Sequence, residues 1–94
     1  MAPAALRLAQ AGAEALRQQH PDVAERDLRT ALAQAPAHPE VERLLALALR
    51  AQGKNAEALE LLRLAAQRWP ADVLVQNGLG TALDASGERE AASA

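Results

Sequence analysis

The feature that most constrains this chain is a recurrence at 34 residues. A shift of 34 positions lays Pro36 on Pro70, Gly53 on Gly87, Leu28 on Leu62 and Ala31 on Ala65. Two registers run three deep: Ala24, Ala58 and Ala92, and Gly12, Ala46 and Gly80. Between Pro36 and Pro70 lies one whole unit, two apolar helical patterns divided by Gln52-Gly53-Lys54-Asn55 with a proline at either end. A helix pair of this size cannot bury its apolar face alone, so successive pairs must stack, each covering the last. The expected fold is all-α, an α-solenoid of antiparallel helix hairpins forming a single domain over residues 1–94. Repeat one is expected over about 4–36, repeat two over about 37–70, and an incomplete repeat three over about 71–94.

The local signals fit this division. Pro3, Pro21 and Pro39 suit first helical positions, where a missing N–H costs nothing. Residues preceding prolines are driven out of the α region, which breaks the chain at Gln18-Gln19-His20 and at Ala37-His38. Leu8, Ala11, Gly12, Ala15 and Leu16 mark a first helix; Ala24, Leu28, Ala31 and Leu32 share one face of a second. Leu44, Leu45, Leu47, Ala48 and Leu49 make the third helix apolar around most of its circumference, as expected inside a stack. Gly53 supplies a left-handed stop and Asn55 a cap for the next helix, whose face is Ala58, Leu59, Leu62, Ala65 and Ala66. Arg63 and Arg68 sit toward the end of that helix, where they complement its dipole. Asp72 caps a fifth helix carrying Val75, Leu79, Gly80 and Leu83. Gly87 is expected to end it, with a sixth helix beginning at Glu88.

This register resembles the tetratricopeptide repeat family. That family's first helix carries a large residue, a Leu-Gly pair and a second large residue; its second helix reads small-large-small, and a proline closes the unit. Repeat two presents Leu45-Ala46, Leu49, Gly53, Ala58, Leu62, Ala65 and Pro70. Repeat three presents Leu79-Gly80, Leu83, Gly87 and Ala92, and repeat one Ala11-Gly12, Ala15, Ala24, Leu28, Ala31 and Pro36. Three positions depart from the pattern: Glu42 and Gln76 stand where a large residue is usual, and Gln19 replaces the turn glycine. The resemblance implies a right-handed superhelical stack in which small residues at 12, 46 and 80 close each helix pair against alanines at 24, 58 and 92.

The resemblance also implies a concave face, lined by the first helix of each unit, that binds peptides. Its positions include Leu6, Ala9, Ala13, Leu16 and Arg17; then Glu40, Arg43, Leu47, Arg50 and Ala51; then Leu74, Asn77, Thr81, Asp84 and Ala85. The expected peptide-binding residues are Arg17, Arg43, Leu47, Arg50, Asn77 and Thr81. Arg43 and Arg50 lie seven residues apart, two turns on one face, and could fork onto a carboxylate or an extended backbone. The family's chaperone-type clamp needs Lys, Asn, Asn, Lys and Arg where this chain has Ala9, Ala13, Leu44, Leu74 and Gly78, so recognition of chaperone C-termini is not expected.

Composition narrows the function further. A formal net charge of −2 and a single aromatic residue, Trp69, give neither electrostatic attraction to nucleic acid nor rings to stack on bases. The absence of cysteine rules out disulfides and thiolate chemistry. No basic leader with a long apolar run opens the chain, and no stretch approaches the roughly 20 apolar residues of a membrane span. A cytoplasmic location is the expectation. His20 and His38 read as turn residues, without the further ligands a metal needs. Glu40/Glu42 and Glu88/Glu90 read as first-turn acids facing helix dipoles rather than as an acid–base pair. No nucleophile has a histidine beside it in the pattern, so neither catalytic residues nor a cofactor are expected. Trp69 is expected to fold over the repeat junction.

Three roles fit such a chain. It could be a scaffold holding another protein or peptide in the groove. It could be the N-terminal docking region of a larger bacterial transferase or hydroxylase. Or it could be a small self-associating protein, a homodimer through Val75, Leu79 and Leu83 of the C-terminal helix.

Overall fold

A computed structural model describes the backbone of residues 3–34 and 38–93, and side chains as far as Asp84. Within these residues the chain forms five helices: α1 (Pro3–Arg17), α2 (Pro21–Gln34), α3 (Pro39–Ala51), α4 (Asn55–Arg68) and α5 (Val73–Ser93). The turn through Ala35, Pro36 and Ala37 and the side chains of Ala85 and Ala92 lie outside the described residues.

The two intra-hairpin turns have one geometry. After α1 the His20 amide donates to the Ala15 carbonyl (2.8 Å) and the Gln19 amide to that of Leu16 (3.1 Å). After α3 the Lys54 amide donates to Leu49 (2.9 Å) and the Gly53 amide to Arg50 (3.0 Å). This is the paired six-to-one and five-to-two closure of a Schellman motif, which needs a left-handed residue just past the helix. Gly53 supplies it at φ 82°, and Gln19, 34 positions earlier, takes φ 63° with a side chain in place. Starts are less uniform. Pro21 and Pro39 open α2 and α3 as expected, and Asp72 Oδ1 accepts from the Val75 amide at 3.0 Å to cap α5. Asn55 is instead the first residue of α4, and no side chain caps that helix.

The helices form two layers. α1 packs on α3 and α3 on α5, while α2 and α4 fill the second layer, each wedged between its sequence neighbours. The backbones of α2 and α4 nowhere approach within 8 Å of each other. Contact in the odd-numbered layer and separation in the even-numbered one mean that the slab bends, with α1, α3 and α5 on its inner side. The core runs through the middle: Leu28, Ala31, Val41, Leu45, Ala46, Leu49, Ala58 and Leu62 are buried. Helix α3 contributes most, and its outlying apolar residue is Leu47, 38 % exposed on the inner face.

Small residues permit the close approach of α1 and α2. A Cβ at Gly12 would lie 2.6 Å from Leu28 Cγ, so the leucine occupies the space a side chain would need. Ala24, Ala46 and Ala58 are all buried at the equivalent places. Repeat three differs. A Cβ at Gly80 would meet nothing within 4 Å, whereas one at Gly78 would sit 3.3 Å from Leu62. The cause is α5 itself, which continues through Gly87 to Ser93 instead of ending there. Among the described residues no sixth helix folds back, and in place of the expected turn at Gly87 there is one long helix.

One polar cluster joins the two hairpins, and a second ties α3 to the end of α4. At one end of the second layer, Gln52 Nε2 donates to Glu25 Oε1 (2.7 Å) and to the Pro21 carbonyl (3.3 Å). Lys54 Nζ (3.0 Å) and Arg29 Nε (2.8 Å) complete the ring around Glu25. These three partners hold the Glu25 carboxyl down at about 2, Arg29 having the largest effect, then Gln52 and Lys54. At the other end, Glu42 is a first-turn acid of α3 as expected, and it is only 1 % exposed. Its Oε2 accepts from Trp69 Nε1 at 2.8 Å, and Arg68 pairs with its other oxygen. Trp69 is thus half-buried over the junction, held by a buried carboxylate standing where the family pattern puts a large residue.

Candidate functional site

The inner face is built by α1, α3 and α5, which run parallel because each is separated from the next by one antiparallel helix. Residues 34 apart therefore form rows across it. Leu6, Glu40 and Leu74 make one row, Ala9, Arg43 and Asn77 the next, then Ala13, Leu47 and Thr81, then Leu16, Arg50 and Asp84. Two depressions open on this face. One of about 330 Å³ lies between α3 and α5, bordered by His38, Pro39, Glu40, Arg43, Asp72 and Leu74. The other, about 160 Å³, lies between α1 and α3 and is bordered by Leu6, Ala9, Gln10, Ala13 and Glu40. Glu40 borders both, so they adjoin as a trough at the N-terminal end of the layer.

The six expected binding residues do not share one spot. Arg43 borders the larger depression and is half-buried. Leu47 and Arg50 follow along the same face of α3, Arg50 about 10 Å further on at 1.5 Å per residue. Asn77 and Thr81 are exposed on α5. The Thr81 hydroxyl donates to the Asn77 carbonyl at 3.0 Å, so its oxygen is left with acceptor capacity alone. Arg17 stands apart at the far end of α1, paired with Glu14. Arg17, Arg26, Arg29, Lys54 and Arg68 all make ion pairs, while among the described residues Arg7, Arg43, Arg50 and Arg63 have no carboxylate within 4 Å, and of these four Arg43 and Arg50 share the inner face of α3.

Sequence reasoning passed over four residues of the trough, His38, Pro39, Asp72 and Gln10. His38 and Asp72 precede α3 and α5 at the mouth of the larger depression, and their roles as helix-start residues hid their position. The buried Nδ1 of His38 has no hydrogen-bond partner among the described residues. Gln10, on the first helix, lies outside the family's usual groove register. Among the described residues no three His, Cys, Asp or Glu side chains gather as a metal ion requires.

The apolar residues of α5 also fall differently from expectation. Val75 is 1 % exposed, turned into the chain, and Leu79 is half-buried. The exposed ones are Val73, Leu74 and Leu83. Val75, Leu79 and Leu83 therefore do not form one open stripe for a second copy, because α5 uses Val75 and Leu79 to cover this chain's own core.

The sequence model of the tetratricopeptide repeat matches residues 9–73, from mid-α1 to the first residue of α5. The chain belongs to the tetratricopeptide repeat family. Comparison with curated proteins and with solved structures returns no match. Tetratricopeptide repeats generally mediate protein–protein interaction, and the two-layered helical stack seen here is the architecture they share. Among the described residues no helix is long and apolar enough to cross a membrane.

Proposed function

We propose that this tetratricopeptide repeat chain is a non-catalytic interaction or assembly scaffold that holds a segment of another protein along its inner face. The observation that carries this reading is the pair of unspent cations there. Five basic side chains elsewhere are tied to carboxylates, yet among the described residues Arg43 and Arg50 have none within 4 Å, and Arg43 borders a depression with room for side chains. A planar guanidinium gains most from a carboxylate it can grip with two parallel hydrogen bonds. The ligand is accordingly an extended segment or helix with acidic side chains spaced to meet both arginines. Leu47 between them supplies apolar contact, and the Asn77 amide and Thr81 oxygen supply hydrogen bonds from α5. Arg17, already paired, belongs at the rim.

The affinity expected of such a surface is in the micromolar range, about −8 kcal/mol. The test is selection of peptides from a displayed random library on the whole chain, followed by titration of a selected peptide against Arg43→Glu/Arg50→Glu. Binding should fall at least tenfold, since each reversal replaces attraction by repulsion. Unchanged affinity would move the site to another face.

A further inference from the structure

The outer layer carries a second groove. Because the backbones of α2 and α4 stand apart, a cleft of about 330 Å³ opens between them with Leu45 and Leu49 of α3 as its floor. Leu32, Leu61 and Leu64 form its walls, and the Arg29–Glu57 ion pair (3.3 Å) bridges it at one end. Leu64 stands at the mouth, 41 % exposed. An apolar cleft with a protruding leucine calls for a covering surface, and the sequence of α4 says which. Glu60, Leu64 and Arg68 follow one another at four-residue intervals, so they occupy one stripe along three turns. Glu60 has no ion-pair partner among the described residues, and the Arg68 side chain is 49 % exposed despite its contact with Glu42.

This stripe reads acid, leucine, base. Turned about a two-fold axis through Leu64, it reads base, leucine, acid, and so complements itself. We infer that a second copy of this chain covers the cleft, the two α4 helices crossing antiparallel with Leu64 against Leu64 and each Glu60 facing the other copy's Arg68. Such a contact is isologous: one patch serves both partners and the assembly closes at two. Each Leu64 shields the apolar mouth of the other's cleft from water. A single helix pair buries less than a standard interface, so a weak dimer is expected, with a dissociation constant on the order of 10–100 µM. The contact uses the outer layer, leaving the inner trough of each copy open; it is independent of the peptide-binding proposal.

The chain has no cysteine, so an introduced one reports a single contact. Leu64→Cys should form a disulfide-linked dimer in a glutathione buffer at least tenfold faster than Leu47→Cys, whose site is similarly exposed but on the inner face. Glu60→Arg, which opposes two cations, should slow that cross-linking and shift the cysteine-free protein toward monomer in sedimentation. Equal rates for the two cysteine variants, or a wild-type chain that sediments as a monomer up to roughly 500 µM, well above the expected dissociation constant, would overturn the inference. So would a dimer whose affinity is indifferent to Glu60→Arg.

Discussion

Gln19 holds a left-handed backbone at the position where Gly53 sits one repeat later (φ 63° against 82°). For a residue with a Cβ this conformation costs about 1–2 kcal/mol, and here the shared Schellman hydrogen bonds impose it. Gln19→Gly should therefore raise stability by about 1 kcal/mol, read from denaturant unfolding; a loss would mean that the Gln19 side chain contributes something its exposure conceals. Glu25 gives a pH-dependent case. Its carboxyl is lowered from 4.5 to about 2, so the stability it adds is complete above the unfolded value and lost as pH falls between the two. Its partners Arg29 and Lys54 are about half exposed and screened by solvent, which limits the contribution to roughly 1–2 kcal/mol. Glu25→Gln should be less stable than wild type by that amount near neutral pH, with the gap closing as pH falls toward about 2. A gap constant with pH would contradict the ring of donors around this residue. The sequence marked Gln19 as standing in for a glycine, because turn position follows from the repeat. It could not mark Glu42 as buried: a carboxylate in a core position is readable only when Arg68 and Trp69, 26 and 27 residues away, are seen beside it.

At the scale of elements, the first two hairpins follow the repeat and the third does not. Gly12 and Gly80 occupy the same register but opposite surroundings, one against Leu28 and one facing open space. Gly12→Ala must displace the Leu28 side chain, an overpacking cost of about 1–3 kcal/mol that exceeds the gain in helix propensity. Gly80→Ala meets no obstacle and should stabilise by about 0.5–1 kcal/mol. Opposite signs in thermal unfolding are the expected result. A destabilising Gly80→Ala would indicate a helix packed against α5 there, as the repeat pattern alone suggested. The misreading has a physical cause. Gly87 reads as a stop by analogy with Gly53, yet one glycine inside a helix costs only about 1 kcal/mol. In the seven residues that follow Gly87 the apolar residues are all alanines. Gly53, by contrast, is followed by Leu59, Leu61 and Leu62, and the hairpin closes.

At the scale of the molecule, the bend of the slab separates an inner face of α1, α3 and α5 from an outer face of α2 and α4. The rows of the inner face could be read from the sequence because a 34-residue period fixes which positions lie side by side. The trough within it could not, since its edges come from His38 and Asp72, whose place depends on how closely α3 and α5 start together. The outer cleft was also hidden: Leu32, Leu61 and Leu64 are ordinary apolar positions until α2 and α4 are seen to stand apart. In the roles proposed above, the inner face serves a partner segment and the outer face a second copy. Amide chemical-shift mapping of the whole chain with a selected peptide tests the inner-face reading most directly. Shifts should concentrate on α3 and α5 around Arg43, Leu47, Arg50, Asn77 and Thr81, with α2 and α4 little changed; shifts confined to α2 and α4 would contradict it.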